Sequence, residues 1–179
     1  MPDADASHTL VLVPTEIERR HLARQPGFGT LGPCELCGFG PVAAAAHTSA
    51  LIARHKPARV VLTGIAGTFD PAGLGVETAA IFPRVALHGV GVGVASAFVS
   101  ARALGFPHWP TAGPAHPERP DELVLDVPVP PASGHLLTCC TASASPEEAQ
   151  QRLEQYPGAV AEDMEGFAVA LACRLAGVP

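Results

Sequence analysis

Four acids carry the chemistry most worth following in this chain. Glu162, Asp163 and Glu165 open the segment AVAEDMEGFAVALACRLAG, and Glu16 stands in PTEIE, directly after the first apolar run. Beyond Glu165 the segment is apolar or small as far as Arg174. A helix that is apolar all round is ordinarily buried. A carboxylate is seldom buried without a partner, because removing its charge from water is costly. Acids at a helix start favour the macrodipole, each by about 0.3–1 kcal/mol. That accounts for Glu162, which is expected to face water. It accounts less well for Glu165, because residues 165, 168, 169 and 172 share one helical face that is otherwise apolar. A carboxylate leading that face sits at the rim of a pocket or is paired inside one.

The elements that must hold these acids read as alternating strands and helices. Thr9 to Val13 is a short buried strand broken by Pro14-Thr15, and a helical segment with Glu16, Glu18, Arg19 and Arg20 near its start follows. Leu31 to Cys37 reads as the next strand. Pro41 suits the first position of an alanine-rich helix running to about His55. Arg59 to Thr63 is a third strand, ending in the turn Gly64-Ile65-Ala66-Gly67, where backbone can approach a ligand closely. Ala79 to Phe82 and Val90 to Val94 are further apolar runs of strand length. Proline recurs from Pro107 to Pro131, so residues 106–134 read as a surface excursion with a short strand at Leu123 to Val127. His135 to Thr141 is a core strand, and Ser145-Pro146-Glu147-Glu148 is a helix start with a capping box. Strands alternating with helices give an α/β fold with a mixed, largely parallel twisted sheet. Strand ends in such sheets border ligand crevices, which draws Glu16 and the glycine turn toward one cleft. Taken alone, the turn is an ordinary tight connection. The GFG at 38–40 lacks the third glycine and the spaced acid of a dinucleotide fingerprint.

Composition removes several classes of function. A chain of 179 residues, 47% apolar, suits one domain, 1–179, with a sizeable core. A net charge of −6 without a basic run excludes nucleic acid as an expected partner. No stretch of about 20 apolar residues is free of charge or helix breakers, so no membrane span is expected. The acidic N-terminus has no signal-peptide pattern, so the cytoplasm is the expected location. Five cysteines in apolar surroundings do not make a disulfide framework. Cys34 and Cys37 have C-x-x-C spacing without a second pair, and the histidines are dispersed. Neither metal nor cofactor is expected.

TEIE after the first strand, GFGPVAAA, VVLTGIAG and AEDMEGFAVA occur in an order that resembles the nucleoside phosphorylase and nucleosidase superfamily. Within it PTEIE, LGVETAAIFPRVALHGVGV, SARALGF and AEDMEGFAVALAC are most similar to futalosine hydrolases, which remove hypoxanthine from futalosine in a menaquinone pathway. The resemblance implies that Glu165 accepts hydrogen bonds from ribose hydroxyls, with Asp163 beside it and Met164 packing under the sugar. It implies that Glu16 orients or deprotonates the attacking water. Gly64, Ile65, Ala66 and Gly67 would line the sugar and water site. Cys140, Thr141, Ala142 and Ser143 would contact the base, and Phe98 would wall the substrate pocket.

Cleaving an N-glycosidic bond builds positive charge on the ribosyl ring, and preorganised carboxylates stabilise it. Family phosphorylases carry an arginine before the glycine turn and a hydroxyl residue within it, for phosphate. Leu62 and Ile65 stand at those positions, which favours hydrolysis. The resemblance further implies a homo-oligomer, with a neighbour's aromatic residue closing the pocket. It also places a base-protonating Asp or Asn on an element beginning near Val178. The chain ends at Pro179, so the final strand and helix are expected to be lacking and activity to be weak or absent. The alternatives are a methylthioadenosine/adenosylhomocysteine nucleosidase, a non-catalytic nucleoside-binding domain, and a flavodoxin-like module. The last is disfavoured by acids where its phosphate loop belongs.

Overall fold

The computed structural model describes residues 8–106, 108, 122–127 and 132–179. In chain order the elements are β1 (Thr9–Val13), α1 (Glu16–Leu22), β2 (Cys34–Leu36), α2 (Pro41–His55), β3 (Arg59–Leu62), β4 (Gly67–Thr68) and β5 (Arg84–His88). They continue with β6 (Gly91–Val92), β7 (Val99–Ser100), β8 (Glu122–Val124), β9 (His135–Cys139), α3 (Pro146–Gln155), β10 (Ala159–Asp163) and α4 (Gly166–Ala176). The fold is α/β with largely parallel strands, as expected. The described residues form two compact units, one made of the chain up to Ile65 with Met164–Pro179, the other of Ala66–Asp163.

The first unit is built on a parallel sheet ordered β2-β1-β3. Leu10 and Leu12 of β1 are fully buried and share one core with Ala44 and Ile52 of α2 and Ala168, Val169 and Cys173 of α4. Small residues on both helices let them lie close together, and burial of the apolar atoms supplies the driving force. Pro41 opens α2 at its first turn, as the sequence indicates, and Lys56 closes it in the left-handed conformation. Helix α4 ends at Gly177, with φ 69°, and the Val178 N–H reaches back to the Cys173 carbonyl at 3.0 Å, a Schellman-type closure. Val60 N–H donates to the Pro179 carbonyl at 2.9 Å.

The second unit carries a five-stranded sheet ordered β4-β10-β9-β5-β8. Its three central strands run parallel, and the edge strands β4 and β8 are antiparallel to their neighbours. Ala86, Leu137, Cys139, Tyr156 and Ala159 form its core. Helix α3 starts as expected: Ser145 accepts from Glu148 N–H at 3.3 Å, and the Glu148 carboxylate returns to Ala144 N–H at 2.8 Å.

Three expectations are corrected here. Ala79–Phe82 forms no strand. The strand is Arg84–His88, directly after Pro83, where Val85 and Ala86 are fully buried against β9. Proline cannot donate to a ladder, so the apolar run becomes a strand only beyond it. Of Val90–Val94, only Gly91–Val92 pairs, with β7. Glu162 and Asp163 end a strand rather than start a helix, and α4 begins after Glu165 at its N-cap. The proline-rich stretch read at 106–134 falls largely outside the described residues, although its short strand appears as β8.

Candidate functional site

In the first unit, two carboxylates are held by backbone amides. Thr15 caps α1, accepting from Glu18 N–H at 3.3 Å, and its hydroxyl donates to the Glu18 carboxylate. The other oxygen of that carboxylate, Oε1, accepts from Ile65 N–H at 2.9 Å. The glycine turn after β3 is thus tied to Glu18. The approach is close enough that a Cβ on Gly64 would lie 3.0 Å from Glu18 Oε1 and 3.1 Å from the Pro14 ring. Glu16 points elsewhere. Its carboxylate takes Arg19 at 2.7 Å and Arg20 at 3.0 Å on a partly exposed helix face. Burial pushes the Glu16 carboxyl upward, but the hydrogen bonds and charges of Arg20 and Arg19 outweigh it and hold the group below its ordinary value.

Glu165 is the second anchored carboxylate, only 5% exposed. It makes no side-chain cap on its own helix. Instead its Oε1 accepts from the N–H of Gly40, the N-cap of α2, at 2.7 Å. A helix N-terminus favours a negative charge, and this contact makes the burial tolerable. Ala168, Val169 and Ala172 on the same face are buried with it, as the face analysis requires. Met164 beside it is half-buried.

The remaining residues singled out in the sequence lie in the second unit. Asp163 accepts from the Thr138 hydroxyl at 2.6 Å. Ala66 and Gly67 are exposed, and Gly67 pairs with Glu162 across β4 and β10. Phe98 packs its ring 4.9 Å from that of His88, which in turn meets Tyr156 edge-on at 5.6 Å. Phe98, His88, Cys140, Thr141 and Arg152 line a cavity of about 500 Å³. Burial, reinforced by the Arg152 charge and opposed by Glu162, holds the His88 imidazole below its ordinary value. Burial above all pushes the neighbouring Cys139 thiol up to about 12, which leaves it protonated and unreactive.

Glu162, expected to face water, is 6% exposed. It lies in β10, an interior strand of its sheet, and its charge is met by Arg152 of α3. Sequence reasoning passed over three residues of this arrangement. Glu18 carried a usable signal, the Thr15-x-x-Glu18 spacing of a capping box. Arg152 and His88 carried none, since neither belongs to a motif. Among the described residues, no three His, Cys, Asp or Glu side chains are grouped to hold a metal ion. No helix among them is long and apolar enough to cross a membrane. An anchored carboxylate with a fixed orientation can polarise a water or accept sugar hydroxyls, and Glu18 and Glu165 both have that character.

Residues 34–179 match the family model described as the phosphorylase superfamily. A futalosine hydrolase from Acidothermus cellulolyticus is 36% identical over 132 residues, covering 71% of this chain and 52% of that protein. The chain therefore spans about half the length of the curated relative it matches. Among solved structures, a 5′-methylthioadenosine/S-adenosylhomocysteine nucleosidase from Colwellia psychrerythraea 34H, in complex with adenine, matches with a TM-score of 0.69 at 21% identity, covering 98% of this chain and 79% of that one. Native futalosine hydrolase of Helicobacter pylori strain 26695 matches with a TM-score of 0.71 at 16% identity, covering 97% of this chain and 81% of that one. At these identities the structural likenesses establish the fold.

Proposed function

The chain belongs to the phosphorylase superfamily, and from that premise we propose that it hydrolyses the N-glycosidic bond of a purine nucleoside. Futalosine is the preferred substrate, giving hypoxanthine and dehypoxanthinyl futalosine on the route to menaquinone. The observation that carries the choice of hydrolysis is the hydrogen bond from Ile65 N–H to Glu18 at 2.9 Å. A phosphorylase needs the amides of such a turn for phosphate. Here a carboxylate occupies the Ile65 amide, and its charge repels an anion.

In this reading Glu18 takes the role that the family resemblance gives to Glu16. It orients the attacking water and accepts its proton, general-base work typically worth about 10²–10⁴ in rate. The water oxygen bonds to C1′, and the C1′–N9 electron pair leaves with the base, which takes up a proton. Glu165 accepts the ribose hydroxyls and, with Glu18, stabilises the positive charge that grows on the sugar ring. Met164 packs under the sugar, with Asp163 beside it, and Gly64, Ile65, Ala66 and Gly67 line the sugar and water site. Phe98 and the Cys140–Ser143 loop contact the base. No metal or cofactor enters the reaction. The protein acts in the cytoplasm as a homo-oligomer.

The test is hypoxanthine release from futalosine against adenine release from methylthioadenosine, each with and without phosphate, by the chain and by Glu18→Gln and Glu165→Gln. Phosphate-independent hypoxanthine release, weak in this chain and lost in both variants, is expected. Preferential adenine release would move the assignment to the methylthioadenosine/adenosylhomocysteine nucleosidases. Nucleoside binding without release of any base would leave a binding domain.

A further inference from the structure

The second unit contains a buried ion pair whose polar atoms are directed at one loop. Arg152 and Glu162 side chains are each 8% exposed, and Arg152 Nη1 donates to Glu162 Oε2. Cys139, the last residue of β9, donates its thiol to Glu162 Oε2 at 3.8 Å, and the other bonds go to the segment after β9. Ser143 N–H donates to Glu162 Oε1 at 2.8 Å, and the Ser143 hydroxyl donates to Glu162 Oε2 at 3.0 Å. Arg152 Nη1 donates to Ser143 Oγ at 2.8 Å, and Nη2 donates to Thr141 Oγ1 at 3.4 Å. Residues on both sides of Ala142 are thereby fastened to one pair of charges.

Stability alone is a poor account of this arrangement. Taking two charges out of water is expensive, and a well-packed apolar pair of similar volume commonly serves a fold as well or better. An apolar pair could not orient the loop, however. Cys140, Thr141 and Ala142 are exposed, so burial does little to order them, and a segment with few buried contacts opens easily. The fastened loop also forms one wall of the cavity that Phe98 and His88 line.

We propose that the Arg152–Glu162 pair is a positioning device that holds Thr141–Ser143 in the geometry needed to receive the purine base. This rests on the nucleoside reading above, because that reading assigns the base to this loop. Neither residue of the pair is catalytic: Glu162 acts through the loop, and Arg152, which also reaches the cavity wall, fastens Thr141 and Ser143. The arrangement explains why Glu162, immediately before the acidic motif's Asp163, is buried rather than solvated.

The experiment compares the chain with Arg152→Met, Glu162→Met and the double variant. Each single variant strands a buried charge and is expected to melt lower than the double, in which both charges are gone. In the folded double variant, Ser143 amide hydrogen exchange is expected to quicken at least about tenfold, because its acceptor is lost. Hypoxanthine affinity, measured by calorimetry, is expected to fall at least about tenfold, the scale of one lost orienting interaction. A double variant that folds and keeps both the slow exchange and the affinity overturns the proposal and leaves the nucleoside reading intact. A parent chain that binds neither hypoxanthine nor any nucleoside overturns that reading, and this assignment with it.

Discussion

At the scale of single residues, the question is which carboxylate a reacting water would meet. Glu16 and Glu18 lie two residues apart on α1, yet one is held by Arg19 and Arg20 and the other by the Ile65 amide. Two guanidinium groups engage the Glu16 carboxylate, whereas the Ile65 amide and the Thr15 hydroxyl orient Glu18. Glu18→Gln is therefore expected to lower phosphate-independent base release by about 10² or more, at least tenfold further than Glu16→Gln. A steady-state assay of both variants decides it, and the opposite ranking returns the role to Glu16. His88 makes a second prediction. Its imidazole, held by burial below its ordinary value of 6.5, binds a proton less readily folded than unfolded. Its contribution is therefore present above the unfolded value and is lost as pH falls through 6.5 toward the depressed folded value. Urea titrations should show stability declining as pH falls below 6.5. The decline should be shallower in His88→Phe, which keeps a ring against Phe98 and Tyr156 but cannot titrate.

At the scale of elements, the packing of α2 on α4 depends on small side chains. Ala44 on one helix and Ala168 on the other are 0% and 3% exposed, which leaves no volume for a larger residue. Ala168→Leu is expected to cost about 1–3 kcal/mol through overpacking, read as a lower urea midpoint. The same crowding would shift Gly40, whose N–H holds Glu165, so nucleoside affinity should fall with stability. These elements were legible to different degrees. Helix α2 starts at Pro41 and ends at His55 as its local signals indicate, and β1 covers Thr9–Val13 as read. Strand β5 was missed because its evidence is the ladder to β9, which no local window contains.

At the scale of the whole molecule, the chain leaves its first unit after Ile65 and returns to it at Met164. Each of the two informative motifs is divided at such a point: Gly64 and Ile65 from Ala66 and Gly67, and Asp163 from Met164 and Glu165. The proposed assembly also belongs here. Ile17, Phe39 and Val42 of the first unit are 70%, 66% and 83% exposed, a high exposure for large apolar residues. Sedimentation equilibrium is expected to give at least twice the chain mass of 18.3 kDa, and a monomer at micromolar concentration would remove the oligomer from the proposal. The sequence by itself determined the α/β class, the limits of α2, the cap of α3, the apolar face behind Glu165 and the kinship carried by AEDMEG. All of these rest on caps, periodicity or motif spacing, which act over one or two turns of chain. Tertiary structure alone decided the distant partners of these acids. Glu18 finds its amide 47 residues away and Glu165 finds its own 125 residues away, while Glu162 turns inward to Arg152. Periodicity tells which face a side chain occupies, but its charge is compensated by whatever the fold brings opposite that face.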